Sequence, residues 1–167
     1  MLAAQSGVVV NRCRVLLAAL FSSLSLTASA AALVCPDLSE AAQVNACPAE
    51  EELRHTYSGF CSDAAKAYAN QTDACIRYED YRAMKNVAMW ESSGGLFDSY
   101  VSCDLPPAEV KTLKATGMKV VVKGQLKKLV CSYPQDINFT YRTKGACVVD
   151  NEKACASDPA SCQATCD

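Results

Sequence analysis

Apolar side chains recur at three- and four-residue steps in the segment that follows Pro48. The positions are Leu53, Tyr57, Phe60, Ala64 and Tyr68. This spacing is the period of one face of an α-helix. A proline suits the first helical turn, and the acidic run 50–52 suits the positive end of the helix dipole. The pattern therefore predicts an amphipathic helix, which Gly59 bends or divides.

Four shorter segments are also predicted to be helical. They span about residues 38–45, from Thr72 or Asp73 to about Trp90, 96–103 and 147–155. The turn Ser92-Ser93-Gly94-Gly95 and Pro106-Pro107 separate them, because these residues interrupt helices. Residues 135–146 are predicted to form a loop, and the small, polar tail after Cys155 is expected to be held by its cysteines.

The segment 107–131 is ambiguous. Its length, its lysines and its leucines favour a helix, but Gly117 and Gly124 each cost about 1 kcal/mol inside one. The β-branched run Val120-Val121-Val122 favours a strand at 118–123 instead. We take the helix as the prediction and keep the strand as the alternative.

The chain begins with a segment typical of a secretory leader. Arg12 and Arg14 precede an apolar stretch at 15–26, and Ala28-Ser29-Ala30 matches an A-x-A cleavage site. A stretch of twelve residues is too short to span a bilayer, which takes about 20. The predicted organisation is a signal peptide at 1–30, a disulfide-rich helical domain at 31–154 and a cysteine-containing tail at 155–167. The predicted fold class is all-α, a small disulfide-stapled bundle of about four to six helices with an irregular cysteine-rich C-terminal tail.

Cysteine usage indicates an oxidising compartment. Of the 11 cysteines, Cys13 lies in the predicted leader, which leaves an even set of ten. These are Cys35, Cys47, Cys61, Cys75, Cys103, Cys131, Cys147, Cys155, Cys162 and Cys166. Such a set is normally paired in secreted domains, whereas zinc sites usually show C-x2-C pairs that are missing here. We predict five disulfides, whose connectivity the sequence leaves open.

Charge and candidate chemistry argue against an enzyme. Removing residues 1–30 takes away two arginines and no acidic residue, so the net charge falls from −2 to −4. This balance argues against a nucleic-acid binder. His55 is the only histidine, which excludes sites that need two, and no nucleophile elbow, phosphate-binding glycine loop or calcium loop is present. We expect no catalytic residue, cofactor or metal site, and no transmembrane anchor.

Three sets of residues are candidates for modification or binding. Asn70 and Asn138 begin N-x-[ST] sequons, which accept N-glycans in secreted eukaryotic proteins. Lys119, Lys123 and Lys127 step by four and would line one helix face, which an anionic partner would recognise. Large side chains in the predicted helices would line a pocket for an apolar ligand if they are not simply core. These are Tyr78, Tyr81, Val87, Trp90 and Phe97.

The cysteine spacing resembles that of the haemolymph-glycoprotein-like secreted cysteine-rich helical proteins of arthropods and their nematode relatives. The matching features are Cys61 before Cys75-Ile76, then Cys103 with its proline-containing turn, Leu129-Val130-Cys131, and Gly145-Ala146-Cys147 leading to Cys155. The resemblance covers about residues 57–155. It implies a secreted helical glycoprotein without catalytic residues and carries no binding site across.

The sequence therefore favours a secreted, non-enzymatic extracellular protein that acts as a monomer and binds a partner. The sequence does not identify this partner. The first alternative is a carrier of a small apolar ligand in a helical cavity. The second is a secreted toxin or inhibitor that acts through an exposed loop such as 132–146.

Overall fold

The computed structural model describes residues 31–69 and 73–167. The predicted leader and the Asn70 sequon lie outside these residues. The described strands are β1 (Ala31–Val34), β2 (Ala42–Gln43), β3 (Val87–Glu91), β4 (Asp98–Ser102), β5 (Gly117–Lys123), β6 (Leu126–Ser132), β7 (Asn138–Thr143), β8 (Cys147–Val149) and β9 (Gln163–Cys166). The described α-helices are α1 (Glu50–Cys61), α2 (Ala64–Tyr68), α3 (Tyr78–Lys85), α4 (Pro107–Val110) and α5 (Glu152–Ser157). Short 3-10 turns lie at Leu38–Glu40, Asp73–Cys75 and Pro159–Ser161.

The all-α prediction is wrong, because the described chain is mostly β. Its strands form a six-stranded antiparallel sheet in the order β2-β3-β4-β7-β6-β5 and a three-stranded sheet in the order β1-β9-β8. The helix predicted after Pro48 does form, as α1. The helical fold implied by the haemolymph-glycoprotein resemblance is wrong for the same reason.

The segment 107–131 shows why the helix prediction failed. A four-residue helix, α4, ends at Val110, and the hairpin β5–β6 begins at Gly117. The hairpin has a two-residue loop whose first residue, Gly124, adopts φ +62°, a positive φ that two-residue hairpin loops commonly place on a glycine. Both glycines that are costly in a helix thus delimit strands, and the valine run occupies the middle of β5.

Other predicted helices are also strands. The segment 96–103 contains β4, residues 147–149 are β8, and the third helix stops at Lys85 so that Trp90 belongs to β3. The segment 38–45 contains one 3-10 turn and β2. Half of the predicted loop at 135–146 is the strand β7. The tail is not irregular, since β9 is the central strand of the small sheet.

The core lies on one face of the large sheet and continues into the small sheet. Phe139, Leu129 and Val101 from the large sheet are at most 2% exposed. They belong to one buried cluster with Leu33 and Ala164 from the small sheet. Tyr133 belongs to the same cluster. Its ring packs edge-on against that of Phe139 with 5.7 Å between the ring centroids, and its hydroxyl donates to the carbonyl oxygen of Pro36 at 2.6 Å.

Five disulfides confirm the predicted use of all ten cysteines. The pairs are Cys35–Cys131, Cys47–Cys103, Cys61–Cys75, Cys147–Cys166 and Cys155–Cys162. The first spans 96 residues and ties the segment after β1 to β6. The second ties the segment before α1 to the end of β4, and the third closes only 14 residues. Among the described residues, no helix is both long and apolar enough to cross a membrane.

Candidate functional site

The large sheet has one face packed on the core and one face in contact with solvent. In an antiparallel sheet, directly opposite residues point to the same side, so the strand register assigns every side chain to a face. Trp90, Val101 and Phe139 point to the core face and are at most 3% exposed. We call the other side the open face. Its side chains are Val87, Met89, Glu91, Asp98, Tyr100, Ser102, Lys119, Val121, Lys123, Leu126, Lys128, Val130, Ser132, Asn138, Thr140 and Arg142.

The open face is accessible along most of its width. Tyr100 is 67% exposed on β4 and Val121 is 41% exposed on β5. Val130 on β6 is buried, with Lys119 and Thr140 directly opposite it on the neighbouring strands. The exposed apolar side chains of this face therefore stand among polar ones, and the strands β7 and β6 separate Tyr100 from Val121.

Basic residues gather on the β5–β6–β7 part of the open face. Lys119 and Lys123 both lie on this face of β5. Lys128 stands opposite Val121, midway between them, and Arg142 stands opposite Lys128 on β7. We call these four residues the basic strip. Lys127 does not belong to it, because it pairs with Val122 and Thr143 on the other face of the sheet.

The prediction of a helical lysine face is therefore corrected in its geometry. A step of four residues returns to the same face of a helix, but it also returns to the same face of a strand, whose period is two. This is why Lys119 and Lys123 remain together. Lys127 separates from them because the hairpin turn lies between. Lys128 and Arg142 were missed, since only the strand register brings them beside the two β5 lysines.

The β3–β4 part of the open face is apolar and acidic rather than basic. Met89 and Tyr100 are directly opposite each other, and Glu91 is opposite Asp98. Asp98 forms an ion pair with Arg142, which joins the two parts of the face. Sequence reasoning placed Tyr100 in a helix and so missed its place on a surface.

Asn138 also lies on the open face, at the start of β7. Its side chain is exposed, its amide donates to the carbonyl of Asp136 at 2.9 Å, and its carbonyl oxygen accepts from the Ser132 hydroxyl at 2.9 Å. A glycan on this residue would project from the face that carries the basic strip. The chemistry of this sequon stays a prediction.

The predicted pocket residues do not line one cavity. Tyr81, Trp90 and Phe97 are each at most 3% exposed, and Val87 lies on the open face. Trp90 borders a cavity of only about 30 Å³, which is room for about one water molecule. Tyr78 and Tyr81 instead pack against Tyr57 of α1, at ring distances of 5.4 and 5.2 Å.

Two larger clefts lie away from the open face. One, of about 350 Å³, is formed by α1 and α3 and is lined by Leu53, Phe60, Tyr81 and Lys85 among others. The second, also about 350 Å³, is lined by the segments around Pro36, Leu113 and Pro159. Lys114 and Asp37 form an ion pair at 3.2 Å beside this second cleft. Neither cleft contains a histidine or a cluster of carboxylates.

His55 is exposed on α1. Throughout residues 31–69 and 73–167, no three His, Cys, Asp or Glu side chains are grouped so that they would hold a metal ion.

An ion network attaches the helices to the large sheet. Arg82 of α3 makes two hydrogen bonds to Asp104, at 2.8 and 2.9 Å, and a third to Glu50 of α1 at 3.2 Å. Tyr78 donates to the same Glu50 at 2.9 Å, and Asn86 donates to Asp104 at 3.0 Å. These hydrogen bonds lower the pKa of Glu50, chiefly through Tyr78, and that of Asp104, chiefly through Arg82.

The network makes a pH-dependent prediction. A carboxylate whose pKa is lower in the folded than in the unfolded state stabilises the fold above its unfolded pKa, and the gain is lost as the pH falls through the folded pKa. We expect Arg82→Gln to lower the melting temperature at pH 7. The difference from the wild type should narrow below about pH 4, where carboxylates begin to protonate. Thermal unfolding at pH 7 and pH 3 measures this. The control is Arg77→Gln, which removes an exposed ion pair with Asp80 in the same helix region. An equal fall in melting temperature for both variants would contradict the prediction.

No protein-family model matches the chain, and neither a curated protein nor a solved structure shows significant similarity to it.

Proposed function

We propose that this protein is a secreted, non-enzymatic binding module that holds an extracellular partner against the open face of its large sheet. The observation that carries the proposal is the open face itself, which combines exposed apolar side chains such as Tyr100 and Val121 with the basic strip. The five disulfides support an extracellular location, because such a density of bridges is typical of secreted domains.

The carrier alternative is less favoured, because Trp90 and Phe97 are packed in the core and the space beside Trp90 would hold about one water molecule. A drug-sized ligand occupies a pocket of roughly 300 Å³ or more. The two clefts of about 350 Å³ reach that size, but of the five predicted lining residues only Tyr81 borders either of them. The toxin or inhibitor alternative placed its contact in a loop at 132–146, but the strand β7 runs through the middle of that segment.

Site-specific photo-crosslinking tests the proposal. A photoreactive phenylalanine analogue at Tyr100 or Val121 places the reactive group on the open face, and the same analogue at Tyr68, which is 91% exposed on α2, is the control. The labelled protein is added to the fluid into which the protein is secreted. We expect adducts of defined mass from the two open-face positions, and unlabelled wild-type protein should compete with their formation.

Competition makes the result specific. Unlabelled protein that carries Tyr100→Glu and Val121→Glu should compete poorly, whereas unlabelled Tyr68→Glu should compete as well as the wild type. The same adducts from Tyr68, or adducts that no unlabelled protein suppresses, would refute an open-face binding site.

A further inference from the structure

Charge is divided unevenly between the β5–β7 region and the rest of the chain. Residues 117–144 contain six basic residues and one acidic residue, a net charge of +5. The basic residues are Lys119, Lys123, Lys127, Lys128, Arg142 and Lys144. Since residues 31–167 carry −4 in all, the remainder carries −9. A protein with a negative net charge thus has one strongly positive region.

The basic strip concentrates that positive charge on one surface. Four residues along a strand span about 13 Å, which separates Lys119 from Lys123 on β5. Lys128 and Arg142 follow on the next two strands, each about 4.8 Å further across the sheet. The strip therefore covers an area of about 13 by 10 Å.

The lysines of the strip are not neutralised from within. In the described part of the chain, Lys119, Lys123 and Lys128 have no carboxylate within ion-pair distance, and only Arg142 is paired, with Asp98. By contrast Arg54, Arg77 and Arg82 in the helical region are each paired. Like charges directly opposite each other, as Lys128 and Arg142 are, destabilise a sheet. A bound anion would relieve this repulsion.

We infer that the basic strip binds a sulfated polysaccharide chain, an inference that rests on the proposed function and names the partner of the open face. A linear polymer with an anionic group on each repeat complements a flat surface with several separated cations. Hydroxyl and amide side chains lie beside the strip on the same face, at Ser132, Thr140 and Asn138. Such groups suit the hydroxyls of a sugar chain.

Two other polyanions fit the strip less well. Single-stranded nucleic acid requires aromatic side chains for base stacking, and the exposed ring on this face, Tyr100, lies on β4, two strands away from Lys128. A membrane surface would favour exposed apolar side chains beside the cations at the tip of the hairpin. Gly124 and Gln125 form that tip, and the exposed Val122 next to it points to the other face of the sheet.

The test measures the affinity of the full secreted protein for immobilised heparin at low and physiological salt. The matched variants are Lys119→Gln with Lys123→Gln, and Lys85→Gln with Lys111→Gln, which change the net charge equally. We expect the first pair to weaken heparin binding about tenfold and the second pair less than twofold, because exposed charge pairs are worth up to about fivefold each. Adding Lys128→Gln to the first pair should weaken binding further, and added salt should weaken wild-type binding most.

Several outcomes would overturn the inference. The first is that the wild type does not bind heparin at low salt, and the second is that the two matched variants weaken binding equally. The third is lysine-dependent binding to a 20-base DNA, or to vesicles containing one-fifth phosphatidylserine, that is tighter than the binding to heparin. Equal melting temperatures of the two double variants confirm that folding is not the cause of any loss. If heparin binding fails while the competed crosslink from Tyr100 persists, only this inference is wrong. If the crosslink also fails, the proposed function is wrong as well.

Discussion

Replacing Cys35 and Cys131 together with alanine should lower the free energy of unfolding by about 4–5 kcal/mol. This disulfide closes a loop of 96 residues, and the chain-entropy gain from a cross-link rises with the length of the loop that it closes. Cys131 is also fully buried, so its truncation removes core contacts. Domains of this size are stable by about 5–15 kcal/mol, so this loss is a large fraction of the total free energy of unfolding. Chemical denaturation followed by circular dichroism measures the loss.

The control for this experiment is the Cys155–Cys162 bridge, which closes only seven residues. The same loop-length relation gives about 2–3 kcal/mol for its removal by alanine at both positions. The midpoint of denaturation should therefore fall less than in the first variant. A larger loss from the short bridge would show that loop length does not set the contribution of these disulfides.

Phe139→Ala should destabilise the protein by about 3–5 kcal/mol. Phe139 is fully buried near the start of β7 and contacts the ring of Tyr133, so its truncation leaves a cavity in the core. Large-to-small changes at such sites lose both transfer free energy and packing. Thermal or denaturant unfolding at pH 7 reports the difference.

Tyr100→Ala is the matched control, since it removes a ring of similar size from the exposed side of the same sheet. Its cost should stay within about 0.5 kcal/mol, as for other surface substitutions. Phe139 is also directly opposite Cys131 in the strand register. The effects of Phe139→Ala and of removing the Cys35–Cys131 bridge should therefore not add, because neighbouring sites share contacts. Equal losses from Phe139→Ala and Tyr100→Ala would contradict the assignment of the two faces.

The sequence predicted α1 correctly because several local signals agree there. Pro48, the acidic first turn and the apolar three- and four-residue steps all favour a helix, and no β-branched run opposes them. In β5 and β6 the signals conflicted. Lys119 and Lys123 suit both periods, and Leu126 and Leu129 are three residues apart, as on a helix face. The valine run and the two glycines favoured the strands that the structure contains. The length of the segment favoured a helix, and the prediction gave it more weight.

Cysteine participation was predictable from composition, but the partners were not. Cys35 and Cys131 meet only because the segment after β1 crosses β6, which is a property of the whole topology. The candidate site likewise depends on the topology of the whole sheet. Lys128 and Arg142 are adjacent because β6 and β7 pair in one particular register. A shift of one residue would send one of them to the core face. Local patterns identified the lysines, and only the sheet assigned them to a common surface.

The small sheet has a consequence for the order of folding during synthesis. Its central strand, β9, pairs with β1 across nearly the whole described chain, Ala31 lying opposite Cys166. Contacts between such distant segments form late, because the intervening chain must first be brought together. The small sheet therefore cannot form until its central strand, β9, has emerged from the ribosome. Until then Leu33 lacks its strand partner Ala164, and the thiol of Cys35 stays unpaired until Cys131 has been made 96 residues later.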